Sequence, residues 1–153
     1  MSKSKDIGTR GETAVKRALI DLGMTDAERN ALMGADDKGD LRALGSLVAV
    51  QVKCGAMAKQ ASLAQLDAWW LDTVEQARRA NSPVPLLVIQ RSGYGYNRAE
   101  YWRAFVDVRF VAEAQLLHGR WHAEHAFPVE MRLANAARLI LGYGGVGPIG
   151  AAA

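Results

Sequence analysis

Two apolar runs with an amphipathic helix between them constrain this chain more than any other feature. Residues 47–53 read LVAVQVK, and residues 84–90 read VPLLVIQ. The second run is continuous and bounded by turn signals, the pattern of a strand covered on both faces. Between them, residues 62–80 predict a long helix. Leu63, Leu66, Trp70, Val74 and Ala77 recur at helical spacing, Ser62 is placed to cap the helix, and Asn81-Ser82-Pro83 stops it. Strand, helix and strand in that order make a β-α-β crossover, which implies parallel neighbouring strands with the helix on the sheet face.

The remaining segments fit around that unit. A first helix is predicted over residues 9–22, with Thr9 or Thr13 as cap, Val15, Ala18, Leu19 and Leu22 as its apolar stripe and Gly23 as its end. A short strand is expected at residues 30–33 and another at 102–108, followed by helices over 109–118 and 129–141. The class is therefore α/β with a central mixed sheet flanked by helices. The 153 residues suit one domain, taken as 1–141, with a glycine-rich tail at 142–153.

Composition narrows the function. The pI is near 9.2, and 13 of the 19 basic residues are arginine. Arginine grips phosphate as a bidentate fork, so this balance leans toward a nucleic-acid partner. A solvated surface from an arginine-rich proteome is the alternative. The single cysteine, Cys54, rules out an internal disulfide and points to a reducing, intracellular setting. No apolar run is long enough to suggest a membrane span, and the polar start is no signal peptide. No glycine loop is followed by Lys-Ser/Thr, so no nucleotide cofactor is expected.

The first run carries a glutamine and a lysine that pure packing does not need. Alternate strand residues share a face, so Gln51 and Lys53 point the same way, opposite Val48, Val50 and Val52. Asp40, between Gly39 and Gly45, can return to the Gln51–Lys53 end through a hairpin. Glu12 falls on the apolar stripe of the first helix, where an unpaired charge is costly and a metal ion or a lysine would relieve it. Two carboxylates, an amide oxygen and a lysine at one strand end suit Mg²⁺, with Mn²⁺ as substitute. Such an ion would bind a phosphodiester and lower the pKa of the attacking water, and the lysine would neutralise developing charge.

Glu12 within RGE, Asp40 within GDL, and Gln51-Val-Lys53, followed by the WW-containing helix and the VPLLVIQR strand, resemble the PD-(D/E)XK nuclease superfamily. Within it they are similar to the archaeal-type Holliday junction resolvases also found in some phages. The resemblance covers residues 8–92. It implies a restriction-endonuclease-like fold with an αβββαβ core, and a homodimer that cuts four-way DNA junctions with Mg²⁺ in a bacterial cell. It assigns Glu12 to the helix-one acid, Asp40 to the central metal ligand and Lys53 to the catalytic lysine. Gln51 stands where the resolvases usually carry glutamate; its amide oxygen can bind metal but brings no charge. A restriction- or repair-type nuclease acting on duplex or flap DNA, and a non-catalytic branched-DNA-binding protein, remain as alternatives.

Arg10, Lys38, Arg42, Lys59 and Arg91 flank this constellation as candidate phosphate contacts; charge balancing is the plainer role. Asp36 or Asp37 could supply charge that Gln51 lacks, with plain loop residues as the alternative. Trp70 lies on the core stripe, whereas Trp69 is a candidate for a dimer surface. His118, His122 and His125 hint at zinc, but no cysteine or acid completes the set. Cys54 falls on the strand face opposite Lys53, as a core thiol. The GYGY loop at 93–96 is placed to approach DNA.

Overall fold

The computed structural model describes residues 3–31, 38–108 and 128–145. Helix α1 (Lys3–Asp21) leads into β1 (Glu28–Arg29), β2 (Leu41–Ala43) and β3 (Val48–Lys53). The one-turn α2 (Ala56–Lys59) and the long α3 (Leu63–Arg79) connect to β4 (Val84–Ile89). A 3₁₀ segment at Tyr96–Tyr101 precedes β5 (Arg103–Asp107), and β6 (Pro128–Arg132) runs directly into α4 (Leu133–Gly145). The strands form one mixed sheet in chain order. Only β3 and β4 are parallel, paired from Val48↔Val84 to Lys53↔Ile89, and every other pairing is antiparallel. The fold is α/β, with helices on both faces of a six-stranded sheet, and the crossover read from the two apolar runs is present.

Strand alternation divides the core. Val48, Val50, Val52, Val84, Leu86, Val88, Ala104 and Val106 pack with α1 and α4, around Val15, Leu19, Leu133 and Ile140. Leu87, Ile89 and Phe105 face α3 through Trp69 and Trp70. All of β4 is buried, as a strand covered on both faces requires.

Several boundaries differ from expectation, each for a local reason. Helix α1 begins at Lys3 rather than near residue 9, because nothing in the polar start breaks it and Asp6 favours its first turn. Thr13 does not cap; its hydroxyl donates to the Thr9 carbonyl at 2.8 Å inside the helix. Gly23, at φ +109°, does end it: Met24 N–H reaches Leu19 O at 2.9 Å and Gly23 N–H reaches Ile20 O at 3.0 Å, a Schellman closure. A short strand lies at 28–29; residues 32 and 33 of the one expected at 30–33 lie outside the described residues. The predicted helix over 129–141 starts at Leu133, because PVEMR alternates along the edge of the sheet and is strand β6. Helix α4 then continues to Gly145, into the expected tail. On α3, Leu63 is 80% exposed; Thr73 and Gln76 hold the buried face instead. The predicted helix over 109–118 lies outside the described residues.

The β2–β3 hairpin is tight. Leu44, Gly45 and Ser46 take φ of 52°, 61° and 75°, a conformation that disfavours non-glycine residues. Asp26 holds them, accepting from Leu44 N–H at 2.8 Å and Gly45 N–H at 2.6 Å. The Gly45 bond foremost, with Leu44, keeps the Asp26 carboxyl below its usual range despite some desolvation.

Candidate active site

Asp40 is built into the strand pairing. Its N–H donates to Val50 O at 2.9 Å, and its Oδ2 accepts from Val52 N–H at 2.6 Å. A side chain thus supplies the acceptor that a longer β2 would have offered from its backbone. The Val52 amide lies between Gln51 and Lys53, so the carboxylate is fixed at the end of β3 that carries both. Gly39 makes this possible: its φ is +91°, and a Cβ there would meet Val50 O at 3.0 Å. Asn30 braces the turn by donating to the carbonyls of Lys38 at 3.3 Å and Gly39 at 3.0 Å.

Gln51 is 5% exposed and enclosed by α3. The Thr73 hydroxyl has one proton and gives it to Trp69 O at 2.7 Å, so it must accept from Gln51. The Gln51 NH₂ therefore faces Thr73 Oγ1 at 2.8 Å and Trp69 O at 3.2 Å, and its oxygen faces Gln76 Nε2 at 2.9 Å and Lys53 Nζ at 3.2 Å. Lys53 sits over the Trp69 ring, 5.8 Å from its centre. Amide and indole together hold the ammonium at the strand end. Trp69 is 8% exposed, so it is not the surface residue expected of a dimer contact; the Lys53 end of β3 and the α3 face of the sheet bury it.

Glu12 arrives from the other face. Helix α1 crosses the end of β3 so closely that a Cβ on Gly11 would lie 2.3 Å from Cys54 Sγ. The thiol donates to Ile7 O at 3.1 Å. Burial pushes the Cys54 thiol up; Glu12 and Asp40 add to this, while the Gly11 backbone and Lys53 oppose it. Cys54 is thus a packed thiol that bonds helix α1 and feels the charges of Glu12, Asp40 and Lys53. Glu12 itself pairs with Arg29 of β1. The cation that its place on the apolar stripe demands is, in this structure, Arg29.

The flanking candidates divide. Arg42 pairs with Glu28, Nε to Oε1 at 2.7 Å, which matches charge balancing. Arg10 stacks on Tyr96 at 4.6 Å and, with Thr13 and Arg17, lines a cleft of about 500 Å³ beside α1. Lys38 and Lys59 are exposed. Arg91 is exposed just past β4, over the Tyr94 ring at 5.4 Å. Asp36, Asp37, His118, His122 and His125 lie outside the described residues. Sequence reasoning missed Arg29, Asn30, Gly11, Thr73 and Gln76. Polar residues at 73 and 76 on the same α3 face as Trp69 were a legible sign of a buried polar partner; Arg29 had no local signal.

Among the described residues, no three His, Cys, Asp or Glu side chains form a metal-binding group. Mg²⁺ commonly takes one or two carboxylates and completes its shell with water and phosphate. Asp40 and Glu12 are the carboxylates that could offer such an ion a first ligand, and a carboxylate's several lone-pair sites would let Asp40 hold Val52 N–H and a cation together. No helix among the described residues is long and apolar enough to cross a membrane. Compared with known proteins, the chain matches no family model, no curated protein and no solved structure.

Proposed function

We propose that this chain is a divalent-metal-dependent DNA endonuclease with a restriction-endonuclease-like sheet, acting on four-way junctions as a homodimer. The observation that carries the reading is Asp40 docked on the Val52 amide, between Gln51 and Lys53, with Glu12 brought to the same strand end. Asp40 and Glu12 would hold Mg²⁺ or Mn²⁺, with Glu12 exchanging its Arg29 partner for the ion. When bound, the metal supplies Lewis-acid polarisation of the phosphodiester and lowers the pKa of the attacking water. Lys53 places a positive charge where the phosphate gains negative charge. Gln51 positions Lys53 through the 3.2 Å contact, and the α3 network keeps that amide from turning.

The test is a gel assay with labelled four-way junction, matched duplex and flap, in Mg²⁺, Mn²⁺ or EDTA, beside Asp40→Asn and Lys53→Ala. Paired junction nicks that vanish in both variants and in EDTA are expected. Equal cutting of duplex would replace the junction substrate with a general nuclease reading. The occupied Gln51 amide supports a second reading, a branched-DNA-binding protein that no longer cuts. Tight junction binding without nicks in either metal would select it.

A further inference from the structure

The loop after β4, residues 91–101, gathers tyrosines and arginines that the proposed chemistry does not use. Tyr94 and Tyr101 stack with ring centres 5.2 Å apart and planes 17° from parallel. Arg98 lies 4.5 Å from the Tyr101 centre and 5.8 Å from Tyr94. Arg91 covers Tyr94 at 5.4 Å, and Arg132 of β6 covers Tyr101 at 5.7 Å. The loop is anchored: the Tyr94 carbonyl accepts from the Trp102 indole at 3.2 Å and the Gln90 amide at 3.4 Å. All three arginines are exposed. Among the described residues, Arg91 and Arg132 have no carboxylate within ion-pair distance, and Arg98 has only Glu100 at 3.4 Å.

We infer that this arginine–tyrosine surface grips the phosphodiester backbone of a nucleic-acid strand. Each ring has the other ring and guanidinium carbons within 6 Å of its centre, which leaves little face for a stacking base. A guanidinium stacked on a ring keeps its N–H donors in its own plane, free to point outward as a fork that fits phosphate. Arg98 already donates to Glu100, so the forks are those of Arg91 and Arg132, and holding them beside an anchored aromatic pair reduces the side-chain entropy lost on binding. Charge favours a polyanion, and position favours the strand that reaches the candidate active site. Lys53 pairs with Ile89, Ile89 with Arg103 and Arg103 with Arg132 across the sheet. Three strand spacings put Arg132 roughly 14 Å from Lys53. At about 3.4 Å of rise per nucleotide, the grip falls about four nucleotides from the bond to be cut. That last placement rests on the nuclease reading; the grip itself does not.

The experiment measures binding without cutting, by fluorescence anisotropy of labelled junction and duplex in EDTA between 50 and 200 mM salt, roughly the range over which phosphate contacts reveal themselves. The proteins are wild type, Arg91→Ala/Arg132→Ala, Arg91→Lys/Arg132→Lys and Tyr101→Leu, each checked for an unchanged melting temperature. The double alanine variant is expected to bind about ten-fold more weakly and to lose about two from the slope of log K against log salt. Tyr101→Leu and the double lysine variant, which keep the charge and lose the stacked fork, are expected to fall between it and wild type. If the double alanine variant keeps wild-type affinity and slope, the grip is refuted while the nuclease reading stands. If full affinity survives in Tyr101→Leu and the lysine pair, stacked forks are refuted. Wild type that binds no DNA overturns both readings.

Discussion

Gly11→Ala tests how α1 is seated on the end of β3, and with it how Glu12 reaches the site. The new methyl would stand 2.3 Å from Cys54 Sγ and 3.0 Å from its Cβ. Overpacking of that kind costs about 1–3 kcal/mol. Alanine also gains about 1 kcal/mol over glycine inside a helix. The single variant should therefore lose about 0–2 kcal/mol. In a Cys54→Ala background the sulfur is gone and only the 3.0 Å contact is left, so the same substitution should be close to neutral or stabilising. The coupling between the two sites is then about 1–2 kcal/mol, in the range of touching residues. Urea denaturation of the four proteins measures it, and in melting experiments each kcal/mol corresponds to about 2–4 °C at this chain length. Junction cleavage should follow the same pattern, weakened by Gly11→Ala and recovered in the double variant. Additive effects within about 0.5 kcal/mol would mean that α1 does not rest on Cys54, and the account of Glu12 would fail with it.

Asp26→Asn should cost about 1 kcal/mol, since the two turn bonds are charge-assisted but solvent-screened. The folded Asp26 carboxyl lies below its unfolded value, so its contribution is complete above that unfolded value and disappears as pH falls through the folded one. Urea midpoints of wild type and variant should therefore converge on acidification, and a constant gap down to about pH 2 would refute the linkage. Thr73→Val removes the hydroxyl between Gln51 and Trp69 O and should cost about 1–3 kcal/mol; unchanged stability would mean that Gln51 finds other partners. Gln51→Glu should lower stability by about 1–3 kcal/mol through burial of a carboxylate. It should also lower the Mg²⁺ concentration for half-maximal junction cleavage, and an unchanged metal requirement would place residue 51 outside the metal's reach.

The crossover was legible because both of its strands are buried and valine- or leucine-rich; the second reads as a continuous apolar run, and no alternative period competes in VPLLVIQ. PVEMR was harder. As an edge strand it has only Val129 and Met131 turned inward, and five residues of mixed polarity fit a helix start equally well. The site was legible where its residues share an element: Gln51 and Lys53 are two steps apart on one strand. Asp40 was placed correctly beside them, but its bond to the Val52 amide depends on where β2 stops pairing, which local patterns do not encode. The partner of Glu12 was not legible at all. Arg29 reaches it only because α1 and β1 fold against the same end of the sheet.

The two ends of the strand order deserve comparison with its middle. β1 has two residues, both exposed, and β6 begins with a proline and turns Glu130 and Arg132 outward. A sheet grows by adding strands to an open edge, and growth needs a run of unpaired, flat, uncharged backbone. Neither edge offers one: the first is too short to template a partner, and the second carries a residue without an amide proton and a row of alternating charge. The most apolar strand, β4, is meanwhile enclosed, with three strands on one side and two on the other. Among the described residues the sheet is thus self-terminating, and its most apolar segment is shielded by paired strands on both sides.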